Sequence, residues 1–421
     1  MNTSFDQTTP NTTAQTAAAT LNARLGIVGG GQLALYLCEA AQRLGIEVMV
    51  FADHEDSPAL AAADRSLVGA ADSQALLSQF VANCDFVTFD KEDIGDATLA
   101  YLVEAQEQGQ IIIRPSVDTM RLLKDKGLQK AWLVEHNLPT LAFQTLVDGT
   151  ASLASLHDKF GTTLVQKARC GGYDGRGVQM LSAAADTPLW DIPSIIEPFL
   201  ADAHEISVIT ARAADGELMS FPPVSMAFDA ELNAVNVVSM PAALSAQQGA
   251  AAIALAENTV RQLGGVGVFA VEMFVTTEGE ILINEIAPRV HNSGHLTLDA
   301  CNVSQFEQHV RAVVGLPLIE IRQHTPAAML NILYTEALQP HCPDRPGQTV
   351  VGGVDASVYW YGKLPGKVGR KMGHINALAP SVDLAVAQAG KALATLSADS
   401  SADKSADNSA DNSAEQKENV A

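Results

Sequence analysis

The sequence has no basic surplus, no paired cysteine spacing and no long apolar run. Its 26 lysines and arginines stand against 48 aspartates and glutamates, a formal net charge of -22 at pH 7 over 421 residues. That balance excludes the broad basic surface that nucleic acid or an anionic membrane requires, although a local basic pocket can still hold a small anion. The five cysteines, Cys38, Cys84, Cys170, Cys301 and Cys342, are odd in number and scattered, without a C-x-x-C pair. They argue against a disulfide framework or a zinc site and fit reduced thiols in a cytosol. No stretch approaches the roughly 18 apolar residues of a membrane-spanning helix. Residues 1–22 are polar and threonine-rich, with no apolar segment of the signal-peptide kind. The expectation is a soluble, cytoplasmic protein that meets neither membrane nor nucleic acid.

What is present is a hydrophobic fraction of 47% beside 18% charged residues, the composition of a packed globular protein. Its length suggests two to four domains. The ends read as tails: 1–22 lacks sustained periodicity, and 397–421 repeats SADS-SADK-SADN-SADN-SAEQ, too polar to bury anything. That second tail holds six acids and two lysines, so the body keeps -18 of the charge. Between the tails, residues 23–120 alternate strand and helix patterns, as in an open α/β sheet. Residues 121–318 open on a helix over 118–136 and continue with longer strands and hairpins, an antiparallel sheet with helices to one side. Residues 319–396 form a smaller β-rich block closed by a helix from Leu384 to Leu396. The fold class is therefore mixed, α/β followed by α+β.

Gly29-Gly30-Gly31-Gln32-Leu33-Ala34 satisfies the G-x-G-x-x-G/A pattern after a strand and before a helix, with Asp53 near the place of a ribose-binding acid. Alone, this supports a NAD(P) dehydrogenase. A tight strand-to-helix turn needs the same glycines, however, and its N–H groups can serve another phosphate or polar group. Nothing later in the chain looks like hydride-transfer machinery.

A second glycine cluster, "GGYDGRG" from Gly171 to Gly177, lies between two strand patterns. Glycines there let backbone N–H groups approach a polyphosphate without Cβ atoms in the way. No G-K-[ST] follows, so this is not a Walker A loop. Lys167, before the loop, and Lys126, on the preceding helix, can supply charge to phosphate oxygens. A lone lysine is more often a solvated cation, but the pair beside a flexible loop favours a nucleotide.

The sharpest signal is "GVFAVEMFVTTEGEILINEIAPRVHNSGH". A two-residue hairpin turn at Glu278-Gly279 pairs residues whose numbers sum to 557, which sets Glu272 beside Glu285 on a face shared with Ala270, Phe274, Ile281 and Ile283. Two anions about 4 Å apart repel by roughly 4 kcal/mol at an effective dielectric near 20. Such a pair persists best under a divalent cation, and hard oxygen ligands suit Mg²⁺ on a nucleotide's phosphates. The bland alternative turns one glutamate to solvent through another register. Next come Arg289, His291, Asn292, Ser293 and His295, a cluster suited to an oxyanion. Far downstream, Lys363, Lys367, Arg370 and Lys371 gather in a very acidic chain, either as a solvated turn or as a clamp for a substrate phosphate.

Taken in order, these stretches resemble the ATP-grasp superfamily and, within it, the 5-(carboxyamino)imidazole ribonucleotide synthase family. The resemblance covers about residues 24–380. "GGYDGRG" and "NEIAPRVHNSGH" (284–295) carry most of it, and "GGGQL", "DKGLQK" and "GKVGRKMGH" support it. It implies an ATP- and bicarbonate-dependent carboxylation of the amine of 5-aminoimidazole ribonucleotide through carboxyphosphate, in purine biosynthesis. It also implies three domains, ATP and Mg²⁺ (or Mn²⁺) as cofactors, and a homodimer.

By that resemblance Lys126 and Lys167 contact the ATP phosphates, and the loop Gly172, Tyr173, Asp174, Gly175, Arg176, Gly177 and Val178 closes over them. Glu197, Pro198, Phe199 and Leu200 form the hinge beside adenine, Glu205 meets the ribose, and Phe228 and Asn284 border the nucleotide. Glu272 and Glu285 hold the metal. Lys167, Arg289, His291 and Asn292 are the catalytic candidates. The ribonucleotide would meet Gln32, Leu33, Glu92, Tyr173, Asp174, Arg176, Arg289, His291, Asn292, Ser293, Lys363 and Arg370.

The chain departs from the family pattern at Ala34 and Leu35, where Gly and Arg are usual, in "FDKED" (89–93), and at Phe228, where a histidine is usual. Three alternatives rank below the carboxylase. One is another ATP-grasp ligase such as formate-dependent glycinamide ribonucleotide transformylase; another is a non-catalytic nucleotide-binding relative; the third is the NAD dehydrogenase suggested by the first turn.

Overall fold

The computed structural model describes residues 22–172, 177–185, 187–229, 234–363 and 365–397. Tyr173, Asp174, Gly175 and Arg176 of the glycine loop, and nearly all of both tails, lie outside the described residues.

The alternating patterns of the first block build a parallel sheet of five strands: β1 (Arg24–Val28), β2 (Glu47–Ala52), β3 (Arg65–Val68), β4 (Phe86–Phe89) and β5 (Ile112–Ile113). Their spatial order is β3-β2-β1-β4-β5. Helices α1 (Gln32–Arg43), α2 (Gln74–Val81) and α3 (Asp96–Glu107) connect them. Leu33, Leu37, Ala40 and Ala41 recur at helical spacing on α1, and all are buried.

The single helix expected over 118–136 is two: α4 (Val117–Lys124) and α5 (Lys126–Glu135). Asp125 between them is extended, and its carboxylate accepts the N–H groups of Gly127 and Leu128, capping α5. Arg169 holds that carboxylate at 2.7 and 2.9 Å. The break matters because it places Lys126 at the first position of a new helix.

A four-stranded antiparallel sheet follows, built from β6 (Gln144–Leu146), β7 (Thr163–Ala168), β8 (Val178–Ser182) and β9 (Ser194–Pro198) in the order β6-β9-β7-β8. Helix α6 (Leu153–Phe160) covers it. The glycine loop joins β7 to β8.

The third sheet has ten strands. They are β10 (His204–Arg212), β11 (Leu218–Ser220), β12 (Val224–Asp229), β13 (Ala234–Met240), β14 (Gly267–Val275), β15 (Ile281–Ala287), β16 (Ala327–Leu333), β17 (Pro346–Val350), β18 (Ala356–Tyr361) and β19 (Lys371–Leu378). The order is β15-β14-β10-β12-β13-β16-β19-β18-β17, with β11 on β10. Pairing of β13 with β16 thus joins the small C-terminal strands to the central sheet.

Helices lie on both faces of this sheet, not on one. Ile206, Val208, Phe269 and Val271 pack against α7 (Ala246–Leu263), which opens on a Ser245–Gln248 capping box. The alternate residues Ile209, Ala211, Val268 and Ala270 meet α8 (Gln305–Val314) and α1. Fully buried side chains such as Phe269 and Phe306 contribute roughly 1.5–3 kcal/mol each. Beyond α8 that second face carries Glu272, Phe274, Glu205 and Ser207 into a cleft, since alternate residues share a face. No helix among the described residues is long and apolar enough to cross a membrane.

Candidate active site

Glu272 and Glu285 are cross-strand partners, but the expected route to that pairing is corrected. The turn is a five-residue loop from Thr276 to Glu280, closed by the Thr276 N–H on the Glu280 carbonyl at 2.9 Å. It pairs Val275 with Ile281 and Met273 with Ile283, one residue out of the expected register. A bulge at Asn284 then restores the offset, so Glu272 meets Glu285. Ile281 and Ile283 consequently belong to the α7 side, not to the glutamates' face. A bulge re-aims the residues around it, and here it turns Asn284 and Glu285 to one side.

Beside this pair the charges form a chain of contacts. Lys126 Nζ is ion-paired with Glu285. Lys167 Nζ donates to Asn284 Oδ1 at 2.8 Å and lies 2.7 Å from Glu197. Glu197 is also paired, at 2.5 Å, with Lys130, one helical turn beyond Lys126. Burial pushes the Glu285 carboxyl up, but Lys126 and Lys167 outweigh it and hold it at about 2. At Glu272 burial and the facing Glu285 outweigh the same two lysines and raise it to about 8. A buried carboxylate, a half-buried one and an amide oxygen form a hard donor set that fits a divalent cation. Among the described residues no group of three or more histidines, cysteines and acids gathers around a metal position.

His291 ties the pair to the following turn. Its Nδ1 accepts the Ser293 N–H at 3.2 Å, so the neutral ring carries its proton on Nε2, 3.1 Å from Glu272 Oε1. Burial, then the charges of Arg289 and Lys371, lower its pKa to about 4. Ser293 Oγ reaches Ser207 Oγ at 3.1 Å. Asn292, expected to face the reacting centre, spends its amide elsewhere. It exchanges two 3.0 Å hydrogen bonds with the buried Asn331.

A cavity of about 900 Å³ opens beside this turn, where all three parts of the chain meet. Gly31, Gln32, Leu33 and Glu92 line it from the parallel sheet. Lys126, Gly172, Glu285, Arg289, His291 and Asn292 line it from the middle, and Lys363 and Arg370 from the C-terminal strands. Arg289 grips Glu92 with two nitrogens, the second at 3.0 Å. Lys363 Nζ donates to Gln32 Oε1 at 2.7 Å, and Arg370 lies 3.6 Å from Asp56. The first glycine turn serves this corner rather than a dinucleotide: its Gly31 N–H donates to Asp90 Oδ2 at 2.6 Å.

The residues assigned to the base and sugar sit away from that cavity. Glu197 turns its carboxylate to the two lysines, and Phe199 follows with a side chain 44% exposed. Pro198 ends β9, Leu200 follows Phe199, and Gly177 and Val178 lead from the glycine loop into β8. Glu205 lies on the cleft face of β10, its carboxyl raised by burial to about 7. Phe228, 40% exposed, is the penultimate residue of β12, which ends at Asp229. Sequence reading missed Lys130, Asp90, Asp125 and Asn331. Of these only Lys130 carried a signal, its four-residue spacing from Lys126.

An antiparallel cleft with paired lysines, facing glutamates and a glycine loop defines an ATP-grasp enzyme, and residues 131–306 match the ATP-grasp domain family. Residues 22–123 match the ribonucleotide synthetase preATP-grasp domain, and 327–388 the phosphoribosylaminoimidazole carboxylase C-terminal domain. The N5-carboxyaminoimidazole ribonucleotide synthase of Synechococcus elongatus is 36% identical over 83% of this chain and 88% of its own. A carboxyaminoimidazole ribonucleotide synthase from Aspergillus clavatus, solved with ATP, is 31% identical at a TM-score of 0.78, over 90% of this chain and 99% of that one. The Aspergillus clavatus enzyme in complex with ADP and 5-aminoimidazole ribonucleotide is 30% identical at a TM-score of 0.75, over the same shares. The chain belongs to the N5-carboxyaminoimidazole ribonucleotide synthase family, ATP-dependent ligases of purine biosynthesis that carboxylate aminoimidazole ribonucleotide.

Proposed function

We propose that the chain binds ATP with a divalent metal in the cleft between its two antiparallel sheets and carboxylates 5-aminoimidazole ribonucleotide with bicarbonate. The observation that carries this reading is the facing pair Glu272 and Glu285, flanked by Lys126 and Lys167 and bordering the three-way cavity. Glu272, Glu285 and the Asn284 oxygen would hold Mg²⁺ or Mn²⁺. When bound, that ion supplies charge neutralisation for the triphosphate and polarises the γ-phosphoryl group.

Lys126 and Lys167 would lie along the phosphates, with Glu205 at the ribose and residues 197–200 beside the base. A bicarbonate oxygen attacks the γ-phosphorus; ADP leaves and carboxyphosphate remains. The exocyclic amine of the ribonucleotide then attacks the carboxyl carbon, inorganic phosphate departs, and the amine loses a proton. Arg289, held by Glu92, and His291, once Glu272 turns to the metal and frees its Nε2–H, would orient the oxyanions. Lys363 and Arg370 take the ribonucleotide's phosphate, with Gln32 and Leu33 behind it. The loop from Gly172 to Val178 keeps water from the labile intermediate. The enzyme would work in the cytoplasm as a homodimer.

The test is a coupled assay of ADP release. ADP formation should require both 5-aminoimidazole ribonucleotide and bicarbonate. Stimulation by glycinamide ribonucleotide with formate in their place would overturn the assignment.

A further inference from the structure

Lys130 touches neither the cavity nor the cleft surface: it is 2% exposed. Its ammonium sits 2.5 Å from Glu197 Oε1 and donates to Thr140 Oγ1 at 2.7 Å. Thr140 Oγ1 in turn donates to the Ile283 carbonyl at 2.7 Å, next to the Asn284 bulge. One buried amine thus joins β9 of the four-stranded sheet to β15 of the large sheet, the two walls of the nucleotide cleft. Glu197 shares its single negative charge between two ammonium groups, Lys130 and Lys167. Lys167 also reaches across to Asn284 Oδ1.

We infer that Lys130 is a positioning residue for ATP, one that satisfies Glu197 so that Lys167 keeps its charge and its extended reach for the nucleotide's phosphates. Two ammoniums and one carboxylate leave this group one positive charge in excess. Remove Lys130, and Glu197 and Lys167 cancel each other. The lysine facing the phosphates is then drawn back to a buried carboxylate that has no other partner, since an unpaired buried charge is costly. Lys130 would therefore govern triphosphate affinity without meeting the ligand. This rests on the reading of Lys167 as a phosphate contact, so that contact is tested in parallel.

The experiment measures ATP binding by calorimetry at several salt concentrations, with thermal melts of each variant. Lys130→Met should weaken ATP by about tenfold or more, the scale of one unit charge a few ångströms away, and flatten the salt dependence. The double variant Lys130→Met with Glu197→Gln removes one positive and one negative charge and should recover most of that affinity. A role confined to packing predicts additive losses, and would be shown by a double variant that binds no better than Lys130→Met. Lys130→Gln serves if the methionine variant does not fold. Lys167→Met separates the two readings: unchanged ATP affinity there sinks the phosphate contact itself. Loss there with wild-type affinity in a folded Lys130→Met sinks only the role of Lys130.

Discussion

Nε2 of His309, on α8, donates to Oγ1 of Thr88, on β4, at 2.7 Å inside the contact between the parallel sheet and the ten-stranded one. The donor assignment follows from the other nitrogen: Nδ1 accepts the Val268 N–H at 3.0 Å, so a neutral ring must carry its proton on Nε2. Protonating Nδ1 would set two donors against each other, and burial lowers the pKa to about 3 from an ordinary 6.5. A depressed histidine contributes stability that is complete above pH 6.5 and is lost as the pH falls toward 3. His291 and His374, lowered chiefly by burial to about 4 and about 3, act in the same sense. The unfolding free energy from urea titrations should therefore fall from pH 7 to pH 5, its slope approaching about 1.4 kcal/mol per pH unit for each such ring below pH 6.5. Replacing His309 with Gln should remove one proton from that slope; an unchanged slope would place the acid sensitivity elsewhere.

Gly29 has φ +113°, and a Cβ there would fall 1.6 Å from Asp90 Oδ1. Asp90 cannot give way freely, since its other oxygen holds the Gly31 N–H. Gly45 has φ +73° with nothing within 4 Å of its would-be Cβ. Alanine at Gly45 should cost roughly 1 kcal/mol from the left-handed backbone alone. Alanine at Gly29 should cost clearly more, and should raise KM for the ribonucleotide because Gln32 and Leu33 leave this turn. Equal melting temperatures for the two variants would show that the Asp90 contact is not a constraint.

Glu272 is a carboxyl that metal-free protein holds against its ordinary ionisation. Raised by burial and by Glu285 to about 8 from an ordinary 4.5, it contributes full stability only below pH 4.5 and loses it as the pH rises through 8. Glutamine copies the protonated form. In EDTA at pH 8, Glu272→Gln should melt at or above the wild-type temperature, while activity with Mg²⁺ and ATP drops about a hundredfold or more. A variant that is less stable in EDTA yet fully active would contradict the metal role.

Part of this was legible in the residues. The glutamate pair could be read because strand parity is fixed by counting, and two deviations, the longer loop and the Asn284 bulge, cancel at Glu272 while moving Ile281 and Ile283. The break at Asp125 could not: aspartate tolerates a helix, and only Arg169, 44 residues on, makes capping the better use of its carboxylate. Gln32 and Lys363 were proposed for one substrate without any signal that they touch, because their contact spans 331 residues. Asn292 was singled out by its neighbours, without any sign that its amide is bonded to Asn331. The partner that claims its amide sits on β16, where nothing in a run of apolar residues marks one asparagine as structural.

That partner supports a final prediction. Asn331 Nδ2 donates to the Val235 carbonyl at 2.8 Å and to Asn292 Oδ1 at 3.0 Å, while its own oxygen accepts from Asn292. Leucine at 331 keeps the volume, strands the amide N–H and oxygen of buried Asn292 and takes a donor from the part-buried Val235 carbonyl. Each unsatisfied group costs about 1–3 kcal/mol, so Asn331→Leu should be markedly destabilised. The turn that loses its anchor carries His291 and Ser293, which the proposed function sets at the ribonucleotide, whereas Lys126, Lys167 and Glu205 stand on other elements. In protein that remains folded at low temperature, KM for the ribonucleotide should rise and kcat fall while ATP affinity stays near wild type. If ATP affinity fell in step, the turn would be organising the whole cleft rather than the acceptor side alone.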